Sequence, residues 1–257
     1  MNNEQIRNYL LSTFLASWLL WGCIILAQAL NLTVLTMKHP LGMLLYVFGG
    51  ISPAICEIVL MKRTAEKEEF RQFVRSILNP RHSILFYIYA VLGALLIQAI
   101  PVFFHLAEVR QPLYMGFLMI LPMIIGGGVE EIGWRGLLQP QLEKNFSHIT
   151  AAVSVGLIWA FWHLPLWFIE GTSQYNMKFG WFCINAIMLS FFIGSVTYVS
   201  KSIFMAILAH ASTNAFWEVM PATEEILPSI ILTLFVVLVT MTIDHFVTLR
   251  RTQKKTI

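Results

Sequence analysis

Long apolar runs dominate the chain, and polar residues gather in the short intervals between them. A membrane-spanning helix needs about 20 predominantly apolar residues. Runs of that order occupy 10–30, 41–61, 83–106, 113–138, 149–169, 181–199, 202–220 and 229–249. They predict an all-α polytopic membrane bundle of about eight transmembrane helices, one integral-membrane domain over 1–257. The first run carries Ala27-Gln28-Ala29, which looks like a leader cleavage site. Its apolar stretch is longer than a leader core and more spans follow, so it reads as a retained helix. Segment 62–82 breaks the pattern: Phe70, Phe73, Val74 and Ile77 recur at helical spacing among Lys67, Arg71 and Arg75. That predicts a basic amphipathic cytoplasmic helix lying on an anionic leaflet. Glu57, one turn from the basic end of the second run, is expected to reach the interface.

Composition strengthens the membrane reading. Of 257 residues, 57% are hydrophobic and 12% charged, with a mean hydropathy of +0.70. A soluble domain carries about twice that charge. Cys23, Cys56 and Cys183 are far apart in apolar runs, so neither a disulfide framework nor a cysteine zinc motif is indicated. The net charge of +3 does not indicate nucleic acid, because the basic residues sit in membrane loops.

Lysine and arginine collect on the cytoplasmic side of membrane proteins. With eight spans, thirteen of the 17 fall on the side of the termini: Arg7, the six within 62–82, Lys144, Lys201, and Arg250, Arg251, Lys254 and Lys255. Lys38, Arg110 and Lys178 fall on the other side, and Arg135 lies within a run. Both termini are therefore expected in the cytoplasm. The short multi-pass chain suggests a bacterial plasma membrane.

Charges inside a span cost roughly 2.5–3.5 kcal/mol each on insertion scales, so they mark function by default. The fourth run contains Gly126-Gly127-Gly128-Val129-Glu130-Glu131-Ile132-Gly133-Trp134-Arg135. Neighbouring residues on a helix are about 100° apart, so Glu130 and Glu131 diverge. Glu131 and Arg135, at i and i+4, are placed to pair as scaffold, which leaves Glu130 free for other partners. Candidates are His163 in the fifth run, and His210 and Asn214, which share a helical face in the seventh. By rise per residue, Glu130 and His210 lie about 12 Å from the cytoplasmic ends of their runs, and His163 about 21 Å. Pro165 lacks an N–H and should kink its helix or open a water site near Phe161.

A buried glutamate beside a histidine can hold a water and take its proton. A second histidine with an asparagine offers two donors for an oxyanion. Those parts suit amide hydrolysis by water. The same Glu130, His163 and His210 would also make a His₂Glu zinc set, so Zn2+ is the alternative to a metal-free site. A proton-coupled transporter uses similar pairs, but no inverted repeat is visible.

Glu130-Glu131-x-x-x-Arg135, Trp159-x-x-x-His163 and His210-x-x-x-Asn214 together resemble the motifs of the CPBP (Abi) intramembrane proteases, which include the CAAX prenyl endopeptidases. The resemblance covers 113–220, the catalytic core helices. It implies an eight-helix bundle with a cavity open to cytoplasm and bilayer. It implies that Glu130 activates water with help from His163, that His210 and Asn214 hold the oxyanion, and that Glu131 and Arg135 support them. Trp159 departs from the phenylalanine common at that position, and its ring is expected to pack on His163. The implied partner is a membrane-associated peptide or protein, prenylated in eukaryotic relatives and linked to bacteriocin maturation or self-immunity in bacterial ones. A catalytically idle immunity or binding protein of the same fold is the competing reading.

Overall fold

The computed structural model describes residues 3–222 and 224–253, which leaves the predicted basic positions Lys254 and Lys255 outside the described part. The chain is helical throughout: α1 Asn3–Ala29, α2 Pro40–Gly50, α3 Ser52–Thr64, α4 Lys67–Leu78, α5 Ile84–Phe103, α6 Leu113–Ile125, α7 Glu131–Gly133, α8 Gln139–Leu142, α9 His148–Trp162, α10 Phe179–Ser200, α11 Ile203–Val219 and α12 Ile226–Gln253. The only extended pairing among the described residues is an isolated bridge between Ala107 and Ala222.

Five helices are long and apolar enough to cross a bilayer on their own: α1, α5, α9 with its extension to Phe168, α10 and α12. Two bent pairs bring the number to seven. One is α2 with α3, bent by 53°; the other is α6 with the segment Gly128–Leu142, bent by 45°. The expected eight thus become five to seven. The difference lies at α11, whose 17 residues are about 25 Å long and mostly buried by protein. It packs against α5, α6 and α10 as the central post of the bundle.

Each bend has a local cause. Between α2 and α3, Gly49-Gly50 is followed by Pro53 in the first turn of α3. After α6, Gly127 adopts φ +146°, a conformation that L side chains rarely reach. Pro165 ends α9 outright: the helix stops at Trp162 and continues as a 3-10 turn, Leu164–Phe168, which places His163 at the break.

The amphipathic helix forms as α4, but its apolar face does not lie wholly on the leaflet. Phe73 is buried, and Phe70, Val74 and Ile77 pack with it against Ala54, Ile132, Ile203 and Ile207. Glu57 differs from expectation too. It is 1% exposed inside the bundle rather than at the interface, because its side of α3 faces α1.

Outward-facing leucine, isoleucine and phenylalanine cover the periphery, as on Leu19, Leu96, Leu121, Leu234 and Leu238. Such a girdle on a set of long apolar helices is that of an integral membrane protein.

Candidate active site

The acidic stretch is not one regular helix. Gly128–Glu130 is a 3-10 turn, Glu131–Gly133 is α-helical and Trp134–Leu138 is a π-helical turn. π turns often mark functional positions. Even so, the two carboxylates diverge as the sequence predicts.

Glu131 is fully buried, with Oε2 3.0 Å from Arg135 Nη1. The guanidinium continues to the Ser190 carbonyl, donating from Nη2 at 3.1 Å. The other oxygen, Oε1, is 2.7 Å from His210 Nδ1. His210 therefore pairs with Glu131, not with Glu130. Helix α11 runs beside α7 and presents His210 Nδ1 to the inner carboxylate.

Glu130 is held by two indoles. Trp159 Nε1 donates to Oε2 at 2.6 Å and Trp134 Nε1 to the same oxygen at 3.4 Å. These donors were not legible in the sequence, although Trp134 stands four residues after Glu130. Trp159 does pack on His163, ring centroids 5.1 Å apart, and equally on His210, at 5.2 Å and perpendicular. One indole thus separates the two imidazoles and ties down the carboxylate.

His163 Nδ1 donates to the Trp159 carbonyl at 2.9 Å. This fixes the proton on Nδ1 and leaves Nε2 as the free ring nitrogen. The ring sits among Trp21, Trp162 and Phe182. Trp162 in turn donates to Ser17 Oγ at 2.7 Å, and Trp18 donates to the Trp162 carbonyl at 2.9 Å. Helix α1 therefore braces the histidine.

Asn214 Nδ2 donates to the Gly126 carbonyl at 3.1 Å, a group released by the break after α6. The neighbouring Gly127 has no side chain for a reason of space as well as of φ. A Cβ there would lie 3.1 Å from His210 Nε2 and closer still to Asn214 Nδ2. Those two nitrogens therefore border one small volume.

Glu130, His163, His210 and Asn214 all line a cavity of about 470 Å³ inside the bundle. They meet there although rise per residue set His163 about 9 Å deeper than Glu130 and His210. Glu131 and Arg135 lie behind the wall. Among the described residues no three His, Cys, Asp or Glu side chains group as metal ligands.

At the basic end of the bundle, burial alone would raise the Glu143 carboxyl. Hydrogen bonds from His148 at 2.8 Å and Gln139 at 2.9 Å outweigh it and hold that carboxyl below its ordinary value.

Comparison with known proteins places this geometry. Residues 111–216 match the family described as type II CAAX prenyl endopeptidase Rce1-like. The match takes in all six polar residues discussed above. Along most of its length the chain is also similar to "CAAX prenyl protease 2" of Methanococcus maripaludis, at 23% identity over 84% of this chain and 85% of that protein. Motifs, bundle and comparisons agree: this integral membrane protein is similar, over residues 111–216, to the Rce1-like CAAX prenyl endopeptidases.

Proposed function

We propose that this protein is an intramembrane endopeptidase that hydrolyses a peptide bond with a glutamate-activated water. The convergence of Glu130, His163, His210 and Asn214 on one buried cavity carries the reading. Glu130 accepts a proton from water as the oxygen attacks the scissile carbonyl carbon. His163, with Nε2 free, holds that water from the second side. Charge then develops on the carbonyl oxygen. His210 Nε2 and Asn214 Nδ2, which border the same volume beside Gly127, donate to it. Glu130 returns its proton to the leaving nitrogen as the C–N bond breaks. Glu131 and Arg135 orient His210 from behind.

The scheme needs no metal. Glu130 spends one oxygen on two indoles, and each histidine spends Nδ1 on a protein acceptor. Activity that survives exhaustive chelation is the expected result. Loss on chelation with recovery on Zn2+ would replace the metal-free step by zinc chemistry on Glu130, His163 and His210.

The substrate is a membrane-associated peptide or protein. The relative's name supports CAAX-type processing, and the cavity wall of Trp21, Tyr46, Trp181, Phe182 and Trp217 is aromatic enough to receive an apolar chain. Bacteriocin-type processing in a bacterial plasma membrane is the alternative within the same reaction. The deciding experiment compares membrane proteomes of cells carrying wild type or Glu130→Gln. A precursor that accumulates only with the variant is expected, and the purified wild-type protein should cleave it. If Glu130→Gln cleaves as well as wild type, the glutamate mechanism fails. If the wild-type protein cleaves nothing and both forms protect the host equally, the binding-protein reading takes its place.

A further inference from the structure

Helix α5 carries one amide or charged side chain in its 20 residues, Gln98. It is 6% exposed and lines the cavity. Polar side chains inside a membrane bundle usually bond across to a neighbouring helix. Gln98 does not: among the described residues, neither its carbonyl oxygen nor its NH₂ group has a protein partner. Other polar donors on the same wall are spent. Asn185 Nδ2 donates to the Trp181 carbonyl at 2.9 Å, and Thr213 Oγ1 to the Ala209 carbonyl at 2.9 Å. Helix α5 packs against α11, so the free carboxamide enters the cavity beside the helix that holds His210 and Asn214.

A peptide that enters such a cavity leaves water, and its N–H and C=O groups then need partners. Peptide-binding proteins commonly meet that need with the edge of a sheet. This fold has none to offer there. The extended pairing among the described residues is the Ala107–Ala222 bridge, and neither residue lines the cavity. Backbone groups within the helices are already bonded along the helix. Side-chain amides remain, and glutamine presents one acceptor and one donor group on a single plane. That pair complements the N–H and C=O of one extended residue, which point to the same side of a strand. An isoprenoid chain has no such groups and would leave Gln98 unpaired.

We infer that Gln98 binds the main chain of the substrate, accepting from the N–H and donating to the C=O of one extended residue near the scissile bond. A single carboxamide thus stands in for the missing sheet edge. The aromatic groups of the wall are left for the apolar part of the ligand. This rests on the endopeptidase reading for the cut, and adds to it that the α5 side of the cavity holds peptide and not lipid.

Binding in detergent tests it, with Glu130→Gln as the parent so that the probe stays intact. The probe is a fluorescent peptide ending in S-farnesylcysteine and three further residues. Depsipeptide versions replace one N–H at a time by an ester oxygen on either side of the scissile bond. Adding Gln98→Met keeps the side-chain length and removes both hydrogen bonds, and is expected to weaken binding about tenfold. The unfolding temperature should stay level or rise, because an unpartnered buried amide is gone. One depsipeptide should bind the parent more weakly than the peptide does, yet lose nothing in the Gln98→Met protein. Undiminished binding by Gln98→Met, a lowered unfolding temperature, ester losses that add in full, or no binding by the parent overturns the inference. Cleavage by the wild-type protein is measured separately. Binding without cleavage removes the endopeptidase reading alone, and cleavage with binding unchanged by Gln98→Met removes the role of Gln98 alone.

Discussion

His210 Nδ1 lies 2.7 Å from Glu131 Oε1, so the inner carboxylate joins a buried arginine to a histidine on the cavity wall. Removing its charge should disturb both. In Glu131→Gln, Arg135 is left as an uncompensated buried cation, at a cost of about 3–5 kcal/mol. Thermal unfolding in detergent should show that loss, and cleavage should fall with it. A variant as stable as wild type would show that the pair is not the scaffold.

Trp159→Phe keeps a ring between the two histidines and removes only the N–H that reaches Glu130. A hydrogen bond to a charged group is worth about 1.5–3 kcal/mol. If it positions the carboxylate for catalysis, kcat should drop by roughly 10–100-fold with KM unchanged, since 1.4 kcal/mol is tenfold. Adding Trp134→Phe should deepen the loss, because both indoles donate to the same oxygen. Steady-state kinetics with a cleaved peptide separates this from a packing defect, which would also lower the unfolding temperature.

Gly127→Ala should cost activity twice over. Its φ of +146° strains any side chain, by about 1–3 kcal/mol. Its Cβ would also enter the space beside His210 Nε2 and Asn214 Nδ2. Gly180→Ala is the control, because nothing lies within 4 Å of a Cβ there and it does not line the cavity. Comparable turnover in the two variants would remove Gly127 from the site.

Glu143 gives a pH effect away from the site. Its carboxyl is held below the ordinary value, so the stability it contributes is present above the unfolded-state value, about 4.3. That stability is lost as pH falls through the lower folded value. The pair with His148 is partly exposed, so the effect should stay within about 1 kcal/mol. Unfolding curves from pH 7 to 3 should show Glu143→Gln less stable than wild type at neutral pH and converging with it in acid.

Much of the bundle was legible because long apolar runs and their polar intervals admit few other readings. The pairing of Glu131 with Arg135 was legible because i,i+4 neighbours share a face in any helix-like backbone. What escaped depends on distance between elements. His210 turns to Glu131 because α11 lies beside α7, which no spacing within one helix reports. Trp159 reaches Glu130 across 29 residues of sequence. That His163 lines the same cavity as the other site residues depends on how α9 sits against its neighbours, which rise along one helix does not report.

The first helix bears on how the protein tolerates processing. Ala27-Gln28-Ala29 resembles a cleavage site, yet in the same helix Trp18 donates to the Trp162 carbonyl and Trp21 packs on Trp162 and His163 and lines the cavity. Cutting there would separate this helix from the 3-10 turn Thr33–Leu35 and from α2, against which it packs. A segment with a leader-like end forms part of the cavity wall, so truncations within this helix are expected to disturb the cavity itself.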